Sequence, residues 1–282
     1  MTVRVICDTA CDLPQELAQS YGISLVPLHV RFGSKEFVDR EELSTKDFWR
    51  LCSSSGDLPE TAAPAPGAFH AAFESAAASG ASAVLCVTIS SRLSATFDSA
   101  SQAAAEMGPA LPVEVFDSRS VTMGEGLVAV AAAEAAREGN DLAGVLSAAE
   151  STRRRLFVFG AIDTLENLRR GGRIGGAAAA LGALLSIKPV IEVRDGVVEE
   201  ESKQRTRGRS LRYLAGKLRA AGPVERLAIM GAEAADFDEF VALIADIGSL
   251  KPKILADIGP VVGTHAGPGA IGVAWVAASP EP

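Results

Sequence analysis

Aromatic residues are scarce in this chain: 5% of 282 residues, with 2 Trp and 2 Tyr. Because 48% of residues are nevertheless hydrophobic, much of that share being Ala, the core must be built from small side chains. Disorder is excluded by the same figure, since only 22% of residues are charged. Basic charge is also short, with 27 Lys and Arg against 35 Asp and Glu, a net of −8. A nucleic-acid partner wants a basic footprint, and an anionic membrane surface wants the same; neither partner is expected. With 3 His and 4 Cys in total, a structural metal is not expected either. Cys7 and Cys86 lie in strand-like apolar runs and read as buried, reduced thiols.

Long apolar runs are missing as well. The first one meets Asp8 too early for the core of a signal peptide. The longest uncharged window, Ile258 to Pro280, is broken by repeated Gly and Pro, which rules out a spanning helix. The expectation is a cytoplasmic protein without stable membrane insertion. Catalytic signatures are lacking too: there is no P-loop, HExxH, GxSxG or kinase motif. Gly267 to Gly272 matches GxGxxG in letters only, because the residues after it read as a strand and not as a helix.

What is present is a repeated unit. Val3 to Asp8, Val84 to Ile89 and Val113 to Asp117 are β-branched runs, each followed by a Ser/Thr/Asp-rich turn and a helical stretch. Strands alternating with helices predict a parallel, doubly wound sheet. After about residue 155 the pattern changes. Pro189 to Arg194 and Val197 to Glu199 flank an Asp-Gly pair, a strong hairpin signal. The expected fold is α/β in two lobes: residues 1–155 with the parallel sheet, and residues 156–282 with a mixed sheet. Between them, Ile174 to Ile187 is an apolar segment of Gly, Ala and Leu, suited either to close packing or to lining a slot for an alkyl chain. The proline-rich stretch Leu58 to Gly67 reads as an ordered extended loop.

Candidate chemistry gathers at the strand ends. Thr9, Ser90, Ser91, Ser94, Ser118 and Ser120 lie in turns that begin helices, where free N–H groups favour an anion. Helix capping explains Ser90 and Ser118 equally well; Ser94 lies past the first cap positions. His265 sits in the glycine-rich stretch Gly259 to Gly269, read here as a loop, a poor place to bury an imidazole for packing alone. His29 reads as structural, and His70 as a helix-surface residue.

Several strings, taken in order, resemble the DegV family of bacterial proteins over nearly the whole chain, residues 3–280. They are Cys7 to Pro14, Thr61 to Pro64, Ile89 to Thr96, Phe116 to Ser118, Leu168 to Ile174, Ile187 to Pro189, and Ile258 through Gly269. The resemblance implies a two-lobed α/β protein that binds one long-chain fatty acid in an enclosed tunnel. It further implies a carrier and not an enzyme, with no cofactor, presenting the carboxylate to an ATP-dependent fatty acid kinase partner for acyl-phosphate formation. By the same resemblance, Thr61 and Ser94 hold the carboxylate, with Ser91, His265 and Arg173 near the head group. The chain departs from the family strings at Ala62, Ala63 and Ala95. Burying a sixteen-carbon chain is worth on the order of 10 kcal/mol at roughly 0.8 per methylene. The rival expectation is a phosphoryl- or acyl-transfer enzyme with His265 as nucleophile or base and the hydroxyl turns as a phosphate cradle.

Overall fold

A computed structural model describes residues 2–55, 58–177 and 187–278. Chain order runs β1 (Val3–Asp8), α1 (Gln15–Tyr21), β2 (Ser24–Val26), β3 (His29–Phe32), β4 (Lys35–Val38), α2 (Thr45–Ser54), β5 (Glu60–Ala62) and α3 (Pro66–Ala78). Next come β6 (Ala83–Thr88), α4 (Thr96–Met107), β7 (Val113–Asp117), α5 (Met123–Arg137) and α6 (Leu142–Arg154). The remainder is β8 (Leu156–Ala161), α7 (Glu166–Arg170), β9 (Lys188–Arg194), β10 (Val197–Gln204), α8 (Arg207–Arg219), β11 (Val224–Gly231), α9 (Phe237–Leu243), β12 (Ile254–Asp257), α10 (Pro260–Ala266) and β13 (Ile271–Ala277).

The first sheet is parallel throughout, in the order β2-β1-β6-β7. Its alternation sorts into two covers. Ile6, Val84 and Cys86 pack on Phe69 and Phe73 of α3 and on Ala100 and Ala103 of α4. Val5, Cys7, Leu85 and Val87 face the opposite side and join Leu127 and Val128 of α5. Burial on both faces is why these strands read as unbroken apolar runs. Cys7 and Cys86 are fully buried thiols, as expected.

The second sheet is mixed, in the order β10-β9-β8-β13-β11-β12, with only the β11–β12 pair parallel. The β9–β10 hairpin turns at Asp195 (φ 49°) and Gly196 (φ 82°), the two left-handed positions that an Asp-Gly pair supplies. One face of this sheet carries Phe159, Leu227, Ile229 and Trp275 against Leu214 and Leu218 of α8 and Phe240 of α9. The other face packs on α5, which also covers the first sheet.

That double duty explains the Ala-rich composition. α5 is buried along nearly its whole length, as a helix sandwiched between two sheets must be. At Gly124 an added Cβ would lie 2.4 Å from Val158 Cγ2, and at Gly126 2.9 Å from the Cys11 carbonyl. Only small residues let two sheets approach one helix so closely.

Two expectations need correction, and a third is not tested. The Leu58 to Gly67 stretch is not simply a loop: Glu60–Ala62 forms β5, which pairs with β3 in a small antiparallel sheet ordered β4-β3-β5. Pro66 then opens α3, the first helical position being where a missing N–H costs nothing. His265 is not in a loop either. Gly259 caps and Pro260 opens α10, which ends at Gly267 with φ 78°. Of the apolar segment Ile174 to Ile187, residues 178–186 lie outside the described residues, so its expected slot-lining role is not addressed by the structure.

Candidate functional site

The small sheet and α10 bring together what the sequence keeps 204 positions apart. Val30 of β3 pairs with Thr61, which fixes β5 against the core. α10 is held from two sides. The Gly259 N–H donates to Asp12 Oδ1 at 2.9 Å. Gly263 lets α2 approach so closely that a Cβ there would stand 2.9 Å from the Trp49 ring. With both elements fixed, the Thr61 hydroxyl lies 2.9 Å from His265 Nε2.

These two residues border a cavity of ≈ 180 Å³. Its walls are aliphatic, drawn from Leu28, Ile89, Leu93, Val121, Ile191, Val193, Val198 and Val261 among others. The polar residues in the described lining are Thr61, Ser94, Arg173 and His265, so the cavity is an apolar chamber with one polar end. Thr61, Arg173 and His265 also line an adjoining groove with Asn167, Arg170 and Gly171, which opens that polar end outward.

Each polar group at this end has a defined partner. Ser94 Oγ lies 2.8 Å from Thr96 Oγ1, and Thr96 is fully buried. Arg173 donates from Nε to the Leu93 carbonyl (3.1 Å) and from Nη1 to the Gly171 carbonyl (2.7 Å). His265 Nδ1 is buried without a partner among the described residues. Burial, seconded by the nearby Arg173 charge, pushes the His265 pKa down to about 4, so the imidazole is neutral at physiological pH. Gly171 makes room for it: a Cβ at that position would fall 2.2 Å from Nδ1.

Of the sequence candidates, then, Thr61, Ser94, His265 and Arg173 converge on one cavity. Ser91 does not. It is exposed, its hydroxyl donates to Asp117 Oδ2 at 2.6 Å and its N–H to Oδ1, because the carboxyl end of β7 holds that carboxylate beside it. Thr96 and Gly171 were not singled out from the sequence. Both lie inside strings that carry the family resemblance, Ile89 to Thr96 and Leu168 to Ile174, which is the signal that points to them. His29 and His70 stand beside Glu36 and Glu74, at 3.4 and 3.5 Å, away from the cavity lining.

Ser90 and Ser118 of the other hydroxyl turns are already committed, while the buried Ser120 hydroxyl has no partner among the described residues. Ser90 Oγ donates to the Gly196 carbonyl at 2.7 Å, and Ser118 Oγ to the Ser120 carbonyl. At the crevice between β1 and β6, where an open parallel sheet would take an anionic ligand, the chain's own Asp8 carboxylate accepts the Ala10 and Ile89 N–H groups at 2.9 and 2.8 Å. The phosphate cradle is thus filled from within. Desolvation still outweighs those two hydrogen bonds and raises the Asp8 pKa to about 7. No cluster of three His, Cys, Asp or Glu side chains among the described residues is arranged to hold a metal, and no described helix is long and apolar enough to cross a membrane.

Fold and site together define an α/β protein with two large sheets and a small third one, whose interior chamber is apolar with one hydroxyl- and imidazole-bearing end. The model described as "Uncharacterised protein, DegV family" matches residues 2–278, and the chain belongs to that family. A DegV domain-containing protein of Mycobacterium tuberculosis is 38% identical over 289 residues, covering 99% of each chain. One from Listeria monocytogenes is 32% identical, covering 97% of this chain and 98% of that one. Among solved structures, a DegV family protein of Thermus thermophilus, described by its fatty acid binding, superposes with a TM-score of 0.89 at 31% identity, covering 99% of this chain and 100% of that one. DegV of Bacillus subtilis, described as a fatty acid binding protein, gives 0.87 at 27% identity with the same coverage.

Proposed function

We propose that this protein binds a long-chain fatty acid in the apolar chamber, with its carboxylate at the Thr61–Ser94 end, and presents that head group to an ATP-dependent kinase partner. The observation that carries the reading is the sharp polarity of the chamber: aliphatic walls and a single cluster of hydroxyls, imidazole and guanidinium. The fatty-acid-binding relatives of Thermus and Bacillus support it.

The chemistry is as follows. Burial of the chain drives binding, at roughly 0.8 kcal/mol per methylene, while the carboxylate must exchange water for protein donors. A neutral His265 carrying its proton on Nε2 donates to Thr61 Oγ1, which leaves the Thr61 O–H free to donate to the ligand. Thr96 does the same for Ser94. The two hydroxyls then point charge-assisted hydrogen bonds at one carboxylate, with Arg173 supplying positive charge nearby. The groove beyond Arg173 is the side from which a partner's phosphoryl donor reaches the carboxylate. In this role the protein is a carrier, and turnover belongs to the partner.

Native mass spectrometry of the purified protein, followed by denaturing extraction, tests this directly. A stoichiometric fatty acid, lost on combining Thr61→Ala with Ser94→Ala, is the expected result. A protein that stays empty when offered fatty acids, or a double variant with unchanged affinity, overturns it. Acyl or phosphoryl turnover without a partner, abolished by His265→Ala, would make the protein an enzyme.

A further inference from the structure

The geometry points to Val193 as the residue that sets how long a ligand chain the chamber accepts; this rests on the fatty-acid reading above. Val193 lies on β9, on the face that looks toward α5. Cross-strand pairing puts Val198 of β10 on one side of it and Val158 of β8 on the other, so the three valines form one row across the sheet. The chamber touches Val198 and Val193. A second, separate groove of ≈ 550 Å³ touches Val193 and Val158 and continues past Arg119, Arg153, Arg154 and Arg194. Among the described residues Val193 is the one common to both linings, which makes its side chain the partition in this proposal.

The head-group end opens elsewhere, through the groove that shares Thr61, Arg173 and His265 with the chamber. The chamber therefore has a polar mouth and an aliphatic stop, and Val193 belongs to the stop. The stop is braced. Two residues beyond it, the Asp195-Gly196 turn is tied to the β6–α4 turn by Ser90 Oγ donating to the Gly196 carbonyl (2.7 Å) and by Arg92 Nη1 donating to the Asp195 carbonyl (3.1 Å). A braced strand cannot yield to a chain one methylene too long. The arginines beyond the stop also make further extension unfavourable for a methyl terminus, which would leave an apolar chamber for a charged groove.

The test is a competition series of straight-chain saturated fatty acids from twelve to twenty carbons, run on the wild type, Val193→Ala and Val193→Ile. Loss of two methyls lengthens the apolar chamber by the space they filled beside Val198, so Val193→Ala shifts the preferred chain upward by about two carbons, each methylene changing relative affinity roughly fourfold. Val193→Ile keeps a β-branched strand residue and moves the preference the other way, disfavouring the wild type's longest tolerated chain roughly fourfold. If both variants bind with the wild-type profile, or if Val193→Ala weakens all chains equally, Val193 is not the stop. A wild type that binds no member of the series overturns the fatty-acid reading itself, and the stop with it.

Discussion

Thr61 and His265 meet at 2.9 Å across 204 positions of chain, an imidazole nitrogen against the hydroxyl of a threonine on a short edge strand. The imidazole has one ring nitrogen on Thr61 and the other buried without a partner among the described residues. It is a neutral group whose one hydrogen bond among the described residues is to the threonine. Replacing Thr61 with Val keeps the shape and removes the hydroxyl. Because a hydrogen bond to a charged group is worth about 1.5–3 kcal/mol, Thr61→Val should weaken fatty-acid binding roughly tenfold or more while leaving the melting temperature within a few degrees. Isothermal titration with a saturated fatty acid, alongside a melt, decides it; unchanged affinity would remove Thr61 from the site.

His265 should stay neutral down to about pH 5, since burial holds its pKa near 4. Nitrogen-detected NMR on histidine-labelled protein at pH 5.5 should show a neutral ring protonated on Nε2 and bare on Nδ1. An imidazolium at that pH would contradict the burial argument, and a proton on Nδ1 would reverse the donor order through Thr61.

Gly171 is a sharper probe of the same imidazole. Its backbone sits at φ −74°, ψ −5°, which alanine adopts freely, so nothing but space is at stake. A Cβ there would stand 2.2 Å from His265 Nδ1 and 2.7 Å from Cε1. Gly171→Ala must push the ring off Thr61. Ligand affinity should fall by about tenfold, the scale of one charge-assisted hydrogen bond, with the fold intact by circular dichroism. An alanine variant that binds normally would mean that the ring's position is not needed.

Much of this was legible from the residues, for identifiable reasons. β6 is buried along its whole length and β1 at every residue but Arg4, so their apolar runs announce a parallel sheet. Asp195-Gly196 has the two left-handed positions its hairpin needs. The β3–β4–β5 sheet was hidden because its strands are short and Thr61 is specified by pairing with Val30, not by its neighbours. α10 was hidden because Gly263 and the flanking glycines depress helix propensity; Pro260 at its start and Trp49 packed against Gly263 override that. Ser91 matched a motif and still went elsewhere, since Asp117 lies within reach of its hydroxyl and amide alike. Convergence of Thr61, Ser94, Arg173 and His265 is a tertiary fact, carried by three separate connections.

The β9–β10 turn offers a prediction about stability. Gly196 has φ 82°, and a Cβ there would lie 2.4 Å from Ser90 Oγ. Gly196→Ala therefore strains the backbone and breaks the buried Ser90 bond together. Strain of this kind costs about 1–3 kcal/mol, and the orphaned hydroxyl adds about 1–3 more. Chemical denaturation should show a loss of about 2–6 kcal/mol, the sum of the two, with an unchanged m-value. Ser90→Ala alone should lose less, because the Gly196 backbone is then unstrained.

The buried carboxyls set the response to pH. Desolvation raises Asp8 and Asp12 to about 7 each, and raises Glu125 well above the usual carboxylate range. In the unfolded chain such groups titrate near 4. Between those values the native state holds protons that the unfolded state has released, so these groups make stability fall as pH rises from about 4 through 7. His265 acts oppositely: its folded pKa is depressed, so its contribution grows with pH between about 4 and 6.5 and is complete above that. The window from pH 6.5 to 8 therefore isolates the carboxyls, and the melting temperature should drop across it. Asp12→Asn should flatten the drop. Its amide oxygen can still accept the Gly259 N–H that Asp12 Oδ1 takes at 2.9 Å. Its NH2 can donate to Thr122 Oγ1, which, like Asp12 Oδ2, lacks a hydrogen-bond partner among the described residues. A wild type that gains stability over this window would show that Asp8 and Asp12 are ionised in the fold at neutral pH, with the Arg40 charge 3.7 Å from Asp12 outweighing burial there.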